Sequence, residues 1–204
     1  VMSLAQRERL VAIARQHNLM IIEDGAYAFL AEDAPPPLAT LAPERTVYIG
    51  GLSKSVATGL RVGFIAAPMA WVNGLERTIM ATTWNVPGVM SAIAVGWLED
   101  GTVAQLEAQK RADAQARQAL TAQVLTGVKT ISHPSSYFLW LPLAEDARAD
   151  QVAMTLQRAG ISVSTAEPFA VSAQVPHALR LALGSVPMAA LREALVKVRK
   201  VVVW

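Results

Sequence analysis

The hydrophobic pattern opens on a helix. Leu4, Leu10, Val11 and Ala14 fall on one helical stripe, Ser3 precedes it as a candidate N-cap, and His17-Asn18 ends it after Gln16. Leu19-Met20-Ile21-Ile22 follows as a continuous apolar run, the pattern of a buried parallel strand. The run stops at Glu23-Asp24-Gly25, which places two acids at the strand's carboxyl edge. Pro35-Pro36-Pro37 excludes helix and central strand and reads as loop. Thr46-Val47-Tyr48-Ile49, ending in Gly50-Gly51, predicts a second buried strand, and Val62-Gly63-Phe64-Ile65-Ala66-Ala67 a third.

The middle of the chain is helical, over about 69–80, 88–98 and 102–125, with breaks at Pro87 and Asp100-Gly101. The last of these is rich in Ala, Gln, Arg and Glu and predicts a wide solvated face. Beyond it the pattern changes. Residues 136–141 read as a strand, 150–159 as a helix, 161–164 and 177–183 as strands, and 187–203 as a closing helix. The order predicts an α/β fold class in two parts. The first, 1–110, has parallel strands and helices. The second, 111–204, is a small α+β unit, and the boundary lies in or near the long helix.

Composition narrows the function classes. With 53% hydrophobic and 17% charged residues, the chain is no disordered segment. A net charge of +2 without a basic stripe is no nucleic-acid footprint. Lys197, Arg199 and Lys200 near the C-terminus suit the last turn of a helix, where cations complement the dipole. No cysteine is present, which excludes disulfides and thiolate chemistry and fits a cytoplasmic setting. No apolar run reaches the roughly 18 residues of a membrane span. The N-terminus lacks the order of a signal peptide, and Val1 stands where an initiator methionine would. The expectation is a chain that begins inside a larger protein.

Three charged residues cluster at strand ends. Asp24 follows one strand, Lys54 lies just beyond the second, and Arg61 precedes the third. In open sheets, ligand sites gather at the carboxyl ends of strands. A phosphate-bearing aldehyde cofactor needs such a set: an amine to form an imine, a carboxylate to keep a pyridine nitrogen protonated, and a guanidinium for the phosphate. Each residue also has a plain structural reading. Lys54 suits a surface, Asp24 a turn, and Tyr27 a core with its hydroxyl satisfied. Arg180 lies in an apolar strand and needs an anion, from a ligand or from a structural acid. His17, His133 and His177 are too scattered for a metal site. Trp71, Trp84, Trp97, Trp140 and Trp204 read as core or dimer surface, with Trp84 alternatively at a substrate entrance. Glu167-Pro168-Phe169 reads as a turn that could instead approach a substrate.

Asp24-Gly25-Ala26-Tyr27, then Ser53-Lys54-Ser55 with Gly59-Leu60-Arg61-Val62-Gly63, resembles the fold-type I aminotransferases that use pyridoxal 5'-phosphate. Tyr137-Phe138-Leu139-Trp140-Leu141 and Ala178-Leu179-Arg180-Leu181-Ala182-Leu183-Gly184 resemble two later strands of that family, in the right order. The resemblance spans essentially the whole chain. It implies the C-terminal part of a fold-type I large domain followed by a small α+β domain. It further implies that Lys54 forms the Schiff base and shuttles protons, and that Asp24 pairs with the pyridine nitrogen. Tyr27 would meet the phenolic oxygen, Ser53 and Arg61 the phosphate, and Arg180 the carboxylate of an amino acid or 2-oxo acid.

Arg61 stands seven residues after Lys54, a spacing similar to the 2-aminoadipate aminotransferase branch and to MocR-type regulators of the GntR family. In those regulators a winged-helix DNA-binding domain precedes an aminotransferase-like domain. The resemblance therefore implies a homodimer whose DNA contact lies in a segment not in this chain. The alternative is a free-standing aminotransferase, and a third reading is a scaffold or dimerisation unit. Two positions depart from the family pattern. Gly51 stands where a phosphate-contacting Ser or Thr is frequent, and Ser135-Ser136 where Gly-Gly is expected. The family's Gly-rich phosphate loop, ring-stacking aromatic and Asn would precede Val1. The expectation is that these 204 residues alone hold the cofactor weakly or not at all and are inactive alone.

Overall fold

Ser3 caps the first helix through a reciprocal pair: its Oγ accepts from Gln6 N–H, and Gln6 Oε1 accepts from Ser3 N–H. This is the first feature of a computed structural model that describes residues 1–144 and 147–203; Trp204 lies outside the described residues. The chain divides into two compact units, Val1–Lys110 and Arg111–Trp204.

In the first unit, α1 (Leu4–Gln16) leads to β1 (Ile21–Asp24), a short α2 (Leu38–Leu41) and β2 (Thr46–Gly51). Val11 and Ala14 bury against Ile21, Leu38 and Ala42, while Leu4 and Leu10 of the expected stripe stay exposed. Arg45 secures the end of α1 by donating from Nη1 to the carbonyls of Ala14 and Leu19. Glu23 pairs with Arg7 at 3.1 Å and accepts from Ala39 N–H, so this acid is absorbed by the frame.

Strands β1 and β2 pair in parallel, with Asp24 opposite Ile49. The third strand, β3 (Gly63–Ala66), departs from the expected all-parallel arrangement. It pairs antiparallel to β2, Gly51 opposite Gly63. The reason is the connection: a tight reversal through residues 52–62, without a crossover helix, can only return the chain antiparallel. Nor is β3 buried, since all four of its residues are exposed, Phe64 at 57%. Then follow α3 (Met69–Thr82), α4 (Gly88–Glu99) and α5 (Thr102–Val124). Trp71 and Trp84 are exposed, and Trp84 adopts a left-handed backbone (φ 66°) between α3 and α4.

The second unit holds β4 (Ile131–Ser132), β5 (Phe138–Pro142), α6 (Ala149–Arg158), β6 (Ser164–Thr165), β7 (Ala178–Ala182) and α7 (Met188–Val202). Its antiparallel sheet runs β4-β5-β7-β6. The strand expected over 161–164 shrinks to two residues, because only Ser164 and Thr165 find partners on β7. Alternate residues Leu139, Leu141, Leu179 and Leu181 face a core shared with Leu156, Leu191, Leu195 and Val198. The chain segment of α5 within this unit docks through Arg117, which donates to the carbonyls of Leu183 and Val186. Arg199 of α7 donates to Val124 O at 2.7 Å, so a cation serves the carbonyl end of α5. No described helix is long and apolar enough to cross a membrane.

Candidate functional site

The antiparallel return of β3 brings the two ends of the Lys54–Arg61 segment to one edge of the sheet. Leu52 N–H donates to Val62 O at 3.1 Å and closes the segment at its base. Leu52 O accepts from Val56 and Ala57, which curls the chain around Lys54. Leu52 and Leu60 bury against Ala94 and Val103, so a small apolar cluster anchors both arms. Lys54, between these anchors, and Arg61, directly after the second, are both exposed. Arg61 has a left-handed backbone (φ 51°, ψ 29°), a conformation costly for a residue with a side chain. Strain of this kind concentrates where the chain must aim a functional group.

Lys54, Arg61 and Ser53 line one cavity of about 280 Å³, floored by Gly50, Gly51 and Gly63. Its charged lining residues are Lys54 and Arg61, both positive. The cavity thus offers an amine, a guanidinium and a hydroxyl over bare backbone. A Cβ on Gly51 would lie 3.0 Å from Val62 O and 3.1 Å from Gly63 Cα, both main-chain atoms. The close pairing of β2 and β3 therefore leaves a side chain at this position little room.

Asp24 and Tyr27 line a second, neighbouring cavity of about 490 Å³, together with Tyr48. Burial first, then the nearby charges of Glu23 and Asp24, push the Tyr48 phenol above its ordinary pKa. Asp24 Oδ1 accepts from Ala26 N–H at 2.9 Å, so the turn role is present whatever else the carboxylate does. Lys54 Nζ of the first lining lies 6.0 Å from the ring centroid of Tyr27 of the second, at the outer limit of a cation–π contact.

Arg180 belongs to the second unit. It sits on β7 opposite Trp140 of β5, on the sheet face away from the leucine core. Its guanidinium lies over Phe138 and near Phe169, the last residue of the short turn Glu167–Phe169. Among the described residues it has no carboxylate partner, so the structural-acid reading finds no support there. Two contributors, Phe138 and Lys110, carried no signal in the sequence, whereas Phe169 lies in the turn that the sequence allowed to approach a substrate. Phe138 reads only as one position of a strand, and Lys110, whose Nζ donates to Lys54 O, stands in a helical stretch with no local signal. Among the described residues no His, Asp or Glu group could hold a metal ion.

Residues 1–198 match the family described as aminotransferase class I and II. The chain is 26% identical over 176 residues to the HTH-type transcriptional regulator YdeF of Bacillus subtilis, covering 86% of this chain and 38% of that protein. It is 28% identical over 203 residues to aromatic-amino-acid aminotransferase 1 of Thermococcus litoralis, covering 95% of this chain and 48% of that one. The fold is similar to the kynurenine aminotransferase of Pyrococcus horikoshii, with a TM-score of 0.90 and 19% identity over 99% of this chain and 52% of the other. The chain thus spans about half, or less, of the relatives it matches.

Proposed function

Because the chain belongs to the class I and II aminotransferase family, we propose that it is a pyridoxal 5'-phosphate-binding domain that serves as the effector module of a MocR-type transcriptional regulator. The observation that carries the cofactor reading is the glycine-floored cavity whose charged groups are Lys54 and Arg61. A phosphate dianion beside an aldehyde fits that donor set: a guanidinium and a hydroxyl for the one, an amine for the other.

When bound, the cofactor supplies an electron sink for bond-breaking at the α-carbon of an amino acid. Lys54 holds the cofactor through its amine and can move a proton at that carbon. Arg61 and Ser53 bind the phosphate. Asp24 keeps a proton on the ring nitrogen, and the Tyr27 hydroxyl donates to the phenolic oxygen. Arg180 binds the carboxylate of an amino acid or 2-oxo acid, its donors held by the rings of Phe138 and Phe169.

In the regulator reading, a ligand that favours one conformation shifts a domain equilibrium and so changes DNA binding elsewhere in the full protein. The similarity to an HTH-type regulator over 86% of the chain supports this reading. Exposed apolar residues of the first unit, among them Trp71, Trp84 and Leu98, support a homodimer. A second reading is a free-standing enzyme that transfers amino groups, favoured by the similarity to the Thermococcus litoralis aminotransferase over 95% of the chain. The deciding experiment uses the full-length gene product. Absorbance titration with pyridoxal phosphate, against Lys54→Ala, tests the site. Mobility-shift assays on upstream DNA, with and without cofactor and amino acids, then stand against an amino-group transfer assay. Transfer without DNA binding would overturn the regulator reading.

A further inference from the structure

The main chain around Lys54 is held at its flanks but reached at its centre from elsewhere. Leu52 and Leu60 fix the arms, and Ser55, 1% exposed, packs inward directly after the lysine. The carbonyl of Lys54 itself accepts from Lys110 Nζ at 2.7 Å, across 56 residues of sequence. A bond this short from an ammonium is charge-assisted. Lysines on helices ordinarily extend their ammonium into water. Lys110 instead lies half-buried, and that burial lowers its pKa. The lysine whose carbonyl it holds lines the glycine-floored cavity with Arg61.

We infer that Lys110 is a positioning residue for Lys54, fixing the main chain from which the cofactor lysine projects. The inference rests on the reading of Lys54 as the cofactor lysine. It makes Lys110 a residue that acts through Lys54 without touching the cofactor.

The test titrates full-length protein with pyridoxal phosphate, following the absorbance of the lysine-bound form, in the parent, Lys110→Met, Lys110→Arg and Lys54→Ala. Lys110→Met should raise the half-saturating concentration about three- to tenfold, and Lys110→Arg, which keeps charge and donors, should stay within about twofold of the parent. The melting temperature of cofactor-free Lys110→Met should match the parent, because the arms of the segment are anchored by Leu52 and Leu60. A Lys110→Met titration equal to the parent's overturns the inference. So does a Lys110→Arg variant as weak as Lys110→Met, since the cation would then not matter. The underlying reading fails separately: Lys54→Ala would keep the parent's lysine-bound absorbance.

Discussion

The guanidinium carbon of Arg180 lies 3.9 Å from the centroid of the Phe138 ring, with the Phe169 ring at 5.5 Å. An arginine held by aromatic faces keeps its N–H donors available for an anion, and a lysine cannot reproduce that geometry. Phe138→Leu should therefore weaken binding of an amino-acid carboxylate by about two- to fivefold in cofactor-loaded full-length protein. Arg180→Lys should weaken it by about tenfold or more, because the paired donors are lost. Calorimetric titration with a panel of amino acids measures both. Equal affinity in Arg180→Lys would remove Arg180 from the carboxylate role.

Arg61 offers a test in which stability and binding move apart. Its left-handed backbone suits glycine. Arg61→Gly should leave cofactor-free stability unchanged or raise it by up to about 1 kcal/mol. The same variant should lose about tenfold or more in affinity for pyridoxal phosphate, since a charged donor is gone. Urea denaturation and absorbance titration give the two numbers. A clear loss of stability would show that the side chain, not the ligand, accounts for the strained backbone.

Gly51→Ser would install the side chain that the family often carries. Here its Cβ would press on Val62 O and Gly63 Cα, and main-chain atoms of a paired strand yield poorly. The variant should lose on the order of 1–2 kcal/mol with no gain in phosphate affinity. Gly50→Ala meets only the ring of Phe64, an exposed side chain that can turn aside, and should cost less. Urea midpoints rank the two; the reverse order would contradict the packing argument.

The second unit should show a pH signature of its own. Tyr137 Oη donates to Asp113 Oδ2 at 2.9 Å, and Arg117 Nε donates to the same oxygen at 2.8 Å. Burial, then the bond to Asp113 and its charge, push the Tyr137 phenol up to about 12 from its ordinary 10.0. The unfolded phenol loses its proton first, so this contribution is full below the ordinary value and is lost as pH rises to the folded one. Burial raises the Asp113 pKa, but the bonds from Arg117 and Tyr137 outweigh it and hold the carboxyl below its usual range. That contribution is present above the usual range and is lost as pH falls through the lowered value. Unfolding monitored across the alkaline window should show stability falling in the parent and a flatter profile in Tyr137→Phe. Identical slopes would exclude Tyr137 as the source.

Local periodicity was enough to find the main helices and strands in order, because amphipathic stripes and buried apolar runs are written in neighbouring residues. The sequence likewise determined that Asp24, Lys54 and Arg61 stand at strand ends, since Gly-rich stops and apolar runs mark those ends locally. Pairing direction was beyond it. Strand β3 runs antiparallel because the segment closes between Leu52 and Val62, a contact made only once the chain has turned back. Only the tertiary structure placed Asp24 and Tyr27 in one cavity and Ser53, Lys54 and Arg61 in the next, because cavities are bounded by residues from several elements at once. The same holds for Phe138 over Arg180 and for Lys110 on the Lys54 carbonyl. These contacts join residues dozens of positions apart. Their geometry comes from how strands and helices pack, and the local pattern of any one segment carries no record of it.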